Sequence, residues 1–225
     1  MIDFRRSKVD PRMSSSKPTE NRSSRFELIA GAVCLDFVNT LDDRPSRPKE
    51  LLKSYSDFLD FCRDAELISR RQAEQLAVPG HQLPRGANHA LSLAIEMREA
   101  MYGVFEAVAR NLPIPRSALD QLNEHIQNAS RHMRLAPAKG HFVWEFESTD
   151  ADNPFEAVLW PIARSAADLL ASDQLPFVRM CSSETCQWFF LDSTKNHRRR
   201  WCDMTKCGNR DKVRRFYARK KHLSA

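Results

Sequence analysis

No run of eighteen apolar residues occurs in the 225-residue chain, so no membrane-spanning helix is expected. Residues 1–24 lack the apolar segment and small-residue cleavage site of a signal peptide, which favours a cytoplasmic protein without disulfides. There are no internal repeats. Neither a Ser-His-Asp order, a His-Glu-x-x-His pair, a phosphate loop nor a dinucleotide fingerprint appears, and the seven histidines are scattered, so an enzyme is not expected. Acids are also scarce in one place. From Lys195 to Lys221 twelve Lys and Arg face only Asp203 and Asp211, whereas the chain between residue 24 and Lys195 is acidic. A basic tail on an acidic body implies a polyanionic partner.

What is present begins with four cysteines. Cys181 and Cys186 form one C-x4-C pair, and Cys202 and Cys207 form another fifteen residues later. Two short loops, each aiming two thiolates at one point, suit a tetrahedral zinc ion; the alternative is a pair of disulfides. With no sign of an oxidising compartment, one structural Zn2+ is the expectation. A site closed by four protein ligands has no position for a reactive water. Cys34 and Cys62 lie among apolar residues and read as small buried hydrophobes.

The hydrophobic content of 42% and charged content of 28% are those of a globular protein with one core and a small appended module. Residues 1–24, rich in Ser, Arg, Lys and Pro, are expected to be disordered, and Met13 is a candidate start. Arg25 to Ile29 reads as a short strand and Val33 to Leu41 as a helix. Tyr55, Phe58, Leu59 and Cys62 recur with helical period after Ser54 or Ser56. Ser69 to Leu76 is a further helix, closed by Pro79-Gly80. Ala87 to Asn111 is the longest periodic stretch, and Ser117 to Ser130 follows with Leu119, Leu122 and Ile126 inward. Phe142, Trp144 and Phe146 alternate after a Pro-Ala-Lys-Gly turn, the pattern of a β-hairpin. Asn153 to Ser172 is helical, with Pro161 predicting a kink or a break. The fold class is therefore α+β: a predominantly helical body over 25–175 with a small β component, then a zinc module over 177–221.

In that module Phe177 to Met180 and Trp188 to Leu191 form a hairpin whose turn carries Cys181 and Cys186. A basic loop containing Arg198, Arg199 and Arg200 leads to a final helix that starts near Cys207. On this helix Val213, Phe216 and Tyr217 make a narrow apolar stripe among Arg210, Lys212, Arg214, Arg215 and Arg219. A solvated charged face is the bland reading. One-signed charge on a short helix anchored by zinc favours phosphate contacts instead. Asn209 and Arg210 have side chains able to read adenine and guanine edges. Arg210 could equally clamp a phosphate or pack over Trp201.

The run Arg179, Cys181, Cys186, Trp188, Phe190, Asp192-Ser193-Thr194-Lys195, Arg199-Arg200-Trp201-Cys202, Met204, Cys207-Gly208-Asn209-Arg210 and Lys212 resembles the CGNR zinc finger family of bacterial proteins. Upstream, Gly31, Leu35-Asp36-Phe37 and Asn39-Thr40 are similar to the ABATE domain that accompanies this finger. The resemblance implies a stress-induced transcription regulator, with zinc held by Cys181, Cys186, Cys202 and Cys207. Within the body, Asp36 and Asn39 share a helical face beside Thr40, and with Arg98 they could hold a small-molecule effector; a capping and packing network is the favoured alternative. The whole reads as a DNA-binding regulator whose body senses or forms a homodimer. An RNA-binding finger, with Trp188, Trp201 or Tyr217 stacking on bases, and an enzyme capped by the finger are the other readings.

Overall fold

The computed structural model describes residues 25–147 and 153–222, apart from the side chains of 218, 219, 221 and 222. The expected disorder of 1–24 and the candidate start at Met13 lie outside the described residues. The described chain forms a mostly helical body followed by a hairpin-and-helix module, as the sequence implied.

At the centre of the body is α4 (Pro84–Arg110). Proline at its start has φ already set for a helix. Asn111 closes it in the left-handed region, at φ 54, with its N–H on the carbonyls of Ala107 and Val108. Ala90, Ala94, Met97, Met101, Val104 and Phe105 are buried along it. Around it pack α1 (Val33–Val38), α2 (Tyr55–Asp64), α3 (Arg70–Gln82) and α5 (Arg116–Arg131). Helix α6 (Trp160–Leu170) lies against α1 and α5. Phe37 meets Phe58 and Phe61 at centroid distances of 6.0 and 5.5 Å, joining α1 to α2. Ser54 and Ser69 cap α2 and α3 through reciprocal bonds with Asp57 and Gln72, each such cap stabilising by about 1 kcal/mol. Cys34 and Cys62 are fully buried, and burial pushes the Cys34 thiol up to about 12.

Four expectations need correction. The segment 25–32 is irregular rather than a strand, because the Ala30 N–H goes to the Asp36 carboxylate (2.9 Å) and cannot extend a ladder. Helix α1 ends at Val38, where Thr40 Oγ1 turns back to the Phe37 carbonyl (2.7 Å). Helix α3 runs through Pro79 to Gln82; the carbonyl four residues earlier belongs to Gln75, an exposed residue, so losing its N–H partner costs little there. The break falls instead at Leu83, the residue that Pro84 steers out of helical geometry. On α5, Leu122 is fully buried and Ile126 partly so, but Leu119 is exposed, since Ala118 occupies the close approach to Gly103.

Strands β1 (Leu41–Asp42) and β2 (Lys49–Glu50) form a minimal ribbon. Strands β3 (Met133–Ala138) and β4 (His141–Phe146) pair in the expected hairpin, Leu135 opposite Trp144, with Gly140 at φ 77 in its turn. Pro161 splits the next segment: a 3-10 turn, Ala157–Leu159, precedes α6, whose first turn takes the proline at no hydrogen-bond cost. Strands β5 (Val178–Met180) and β6 (Phe189–Leu191) then open the module, and α7 (Asn209–His222) closes it.

Candidate metal centre and its seating on the body

The four sulfurs of Cys181, Cys186, Cys202 and Cys207 lie within 4.8 Å of one another, and all four residues are buried. Cys186 to Cys202 is 3.6 Å and Cys202 to Cys207 is 3.7 Å. A tetrahedron of sulfurs about 2.3 Å from a zinc ion has edges of about 3.8 Å, so these residues fit the metal without rearrangement. The thiols titrate as a set. Hydrogen bonds from the Cys186 and Cys202 thiols drive Cys181 down to about 2, while Cys186 and Cys202 are themselves pushed well above the ordinary thiol value. Desolvation raises Cys207 as well. Ionising all four together requires a cation at their centre. The site holds one structural zinc ion, with no coordination position open for chemistry.

The ligand loops are fixed by side chains that bond backbone. Asp192, only 1% exposed, accepts from the Thr194 N–H (3.0 Å), the Thr194 hydroxyl (2.6 Å) and the Arg199 N–H (2.8 Å). Arg199 in turn donates to the carbonyls of Trp201 (2.9 Å) and Cys202, with its guanidinium 4.6 Å from the Phe190 ring centroid. Asp203 caps the wide turn Met204–Gly208 that carries Cys207, accepting from the N–H groups of Thr205 and Lys206. Backbone joins the two halves where the Ser182 N–H meets the Arg200 carbonyl at 2.8 Å. Sequence reading missed Asp192 and Asp203 as organisers. Asp-x-Thr occurs at both, and that pattern is a side-chain turn signature.

The module is seated directly on the body. Val178 and Phe189 belong to the body's core, with Phe189 edge-on to Tyr102 at 5.5 Å. The buried carboxamide of Asn39 brackets Phe189, donating to its carbonyl and accepting its N–H, both at 2.9 Å. Trp188 Nε1 donates to Asp42 (2.9 Å), the Leu191 N–H to the Ala30 carbonyl (2.7 Å), and Lys206 to Glu27. A cleft of about 180 Å3 remains along this seam beside Cys186 and Cys207, and Glu27, Asp42, Trp188 and Lys206 of these pairs line it.

The four residues suggested as an effector pocket are each engaged with the fold. Asn39 holds the module. Asp36 accepts backbone N–H groups from Ala30 and Ile29, and desolvation raises its carboxyl to about 7. Thr40 bonds Phe37, and Arg98 makes a two-pronged ion pair with Glu50 (2.6 and 2.7 Å) plus a contact to Glu99 (2.9 Å). None of the four lines the cleft beside Cys186 and Cys207. The alternative, a capping and packing network, describes what is there.

The basic residues divide into two groups. Asn209 Nδ2 is bonded to the Thr205 carbonyl at 2.9 Å, and Arg210 reaches Thr185 Oγ1 (3.0 Å) and Cys207 Sγ (3.8 Å). Arg214 pairs with Asp211 and Glu184, Arg215 with Asp211, and Arg199 is turned inward as above. Arg200 stays exposed, 5.1 Å from the Trp201 centroid. Arg198 and Lys212 are exposed and carry no ion pair among the described residues. The side chain of Arg219 lies outside the described residues. Val213, Phe216 and Tyr217 are exposed, so the apolar stripe is uncovered.

Two family models match the chain. ABATE, described as "Putative stress-induced transcription regulator", covers residues 31–173, and the CGNR zinc finger covers 178–220. Neither describes an enzyme. No match was found among curated proteins. Among the described residues no helix is long and apolar enough to cross a membrane. With well over half of its length in the first match and a four-sulfur site built in the second, the chain belongs to the ABATE family and carries a CGNR zinc finger.

Proposed function

We propose that the protein regulates transcription by binding duplex DNA through the basic face of its zinc module. The observation that carries this reading is the one-sided charge of the segment 195–221 on a metal-anchored scaffold. Both acids in that segment are internally engaged: Asp203 in capping, Asp211 with Arg214 and Arg215. The bonds made by Asn209 and Arg210 favour positioning of the fold over base reading. Phosphate contact therefore falls first to Arg198, Arg200 and Lys212, with Arg214 and Arg215 adding field strength. The body holds the module at a fixed attitude and, as a dimer, would place two modules on one site.

The test is fluorescence anisotropy of the full chain with duplex DNA across a salt series. Contact with four or five phosphates gives a slope of log K against log salt of about −4. The double variant Arg198→Glu, Lys212→Glu should flatten that slope by about 2. An unchanged slope in this variant defeats the assignment. One observation favours a second reading: Phe216 and Tyr217 are exposed on the same basic helix and could stack on unpaired bases. Tighter binding to single-stranded RNA than to duplex DNA in direct competition would select it.

A further inference from the structure

A second cavity, of about 140 Å3, lies within the body between α4, α5 and α6, and none of the zinc ligands lines it. Its floor is apolar: Leu93 and Met97 come from α4, Leu159 and Ala163 from the far side. Trp160 also lines it. That indole is 3% exposed and stacks on His132 at 3.8 Å, yet its Nε1–H has no acceptor among the described residues. A buried N–H left unpaired costs about 1–3 kcal/mol, so an acceptor belongs there. Helix α5 contributes Glu124, His125 and Asn128, positions that share one helical face and make no hydrogen bond to another described residue. Glu156, held by Asn153 at 2.8 Å, completes the rim. Burial holds His125 below its ordinary value, against the pull of the neighbouring carboxylates Glu96, Glu124 and Glu156.

In volume the site compares with an engineered cavity of about 150 Å3 that takes benzene, but its rim is polar and open. A negative rim over an apolar floor, with a lining tryptophan whose buried N–H is unpaired, is complementary to a short amphiphilic cation. We propose that this cavity binds a small organic amine, its ammonium group against Glu124 and Glu156, its apolar body over Leu93, Met97 and Leu159, and an oxygen accepting from Trp160 Nε1. The site admits about six to ten non-hydrogen atoms, judged by the benzene comparison. This makes the α4–α5–α6 cavity, and not the Asp36 network, the ligand site of the body. The inference does not rest on DNA binding.

The test uses the full chain with 15N-labelled tryptophan and no nucleic acid. The Trp160 indole resonance is identified as the one lost in Trp160→Phe. Three para-substituted phenols that differ chiefly in the charge of the side arm are titrated: tyramine, neutral 4-ethylphenol and anionic 4-hydroxyphenylacetate, the last slightly larger than the others. The expected result is a saturable shift of the Trp160 signal, with tyramine bound about tenfold more tightly than 4-ethylphenol and the anion weakest, the margin of charge-assisted contacts at the rim. Glu124→Gln, on an exposed position of α5, leaves Glu156 in place and should weaken tyramine by about threefold while leaving 4-ethylphenol unchanged. A Trp160 signal that does not move with tyramine up to about 10 mM, tenfold above a dissociation constant of about 1 mM, overturns the proposal. So does an equal response to all three probes.

Discussion

The body encloses α4 with Phe37, Phe58, Phe61, Met97, Met101 and Phe105 fully out of solvent, whereas the zinc module has Phe190 and four cysteines at its centre. The first is ordered by apolar area, which scales with the amount of chain enclosed. The second is too short for that and is ordered by a metal, with Asp192, Asp203 and Arg199 bonding the loops that hold the sulfurs. The comparison separates two kinds of residue. In the body a polar side chain such as Arg98 must be paired because it is buried; in the module polar side chains build the fold.

The largest effect expected from this contrast comes from metal removal. A structural zinc site stabilises its module by about 10 kcal/mol, so strong chelation should release one zinc per chain and unfold 181–221 while the body keeps its helical circular dichroism. Limited proteolysis should then cut first between Cys181 and α7. If the body's signal collapses together with the module, the two do not differ as described. The next effect is at the seam. Asn39→Ala leaves both the N–H and the carbonyl of Phe189 buried and unpaired, which should destabilise by about 2–3 kcal/mol in denaturant unfolding without changing zinc content. Loss of zinc at the same step would place Asn39 in the metal site instead.

The smallest effect concerns Asp36. Desolvation raises its carboxyl in the folded chain to about 7, above its unfolded value of about 4. The folded state thus holds the proton more tightly. The contribution is present below about pH 4 and is lost as pH rises toward about 7. Asp36→Asn, which still accepts the Ala30 N–H, should flatten the dependence of melting temperature on pH over that window. An unaltered profile would show Asp36 to be solvated.

Much of this was legible in the chain. The sulfur quartet, α2, α4 and the β3–β4 hairpin are written in spacing, caps and alternation, all local signals. What was not legible is long-range pairing. Nothing near Arg210 in sequence announces Thr185, and nothing near Asn39 announces Phe189, so side chains that look available for a base or a ligand are already engaged. Pro79 misled for a different reason: its cost is small where the orphaned carbonyl belongs to an exposed residue.

The seating of Phe189 and Val178 in the body's core also decides what can be cut and moved. A fragment beginning at the module would carry apolar side chains shaped for α4 and leave a matching hole behind. A graft of this finger onto another carrier, or of a related finger onto this one, needs an Asn39 equivalent and a pocket for Phe189 in the recipient. The unit of exchange is therefore the whole chain, even though two separate sequence patterns describe it.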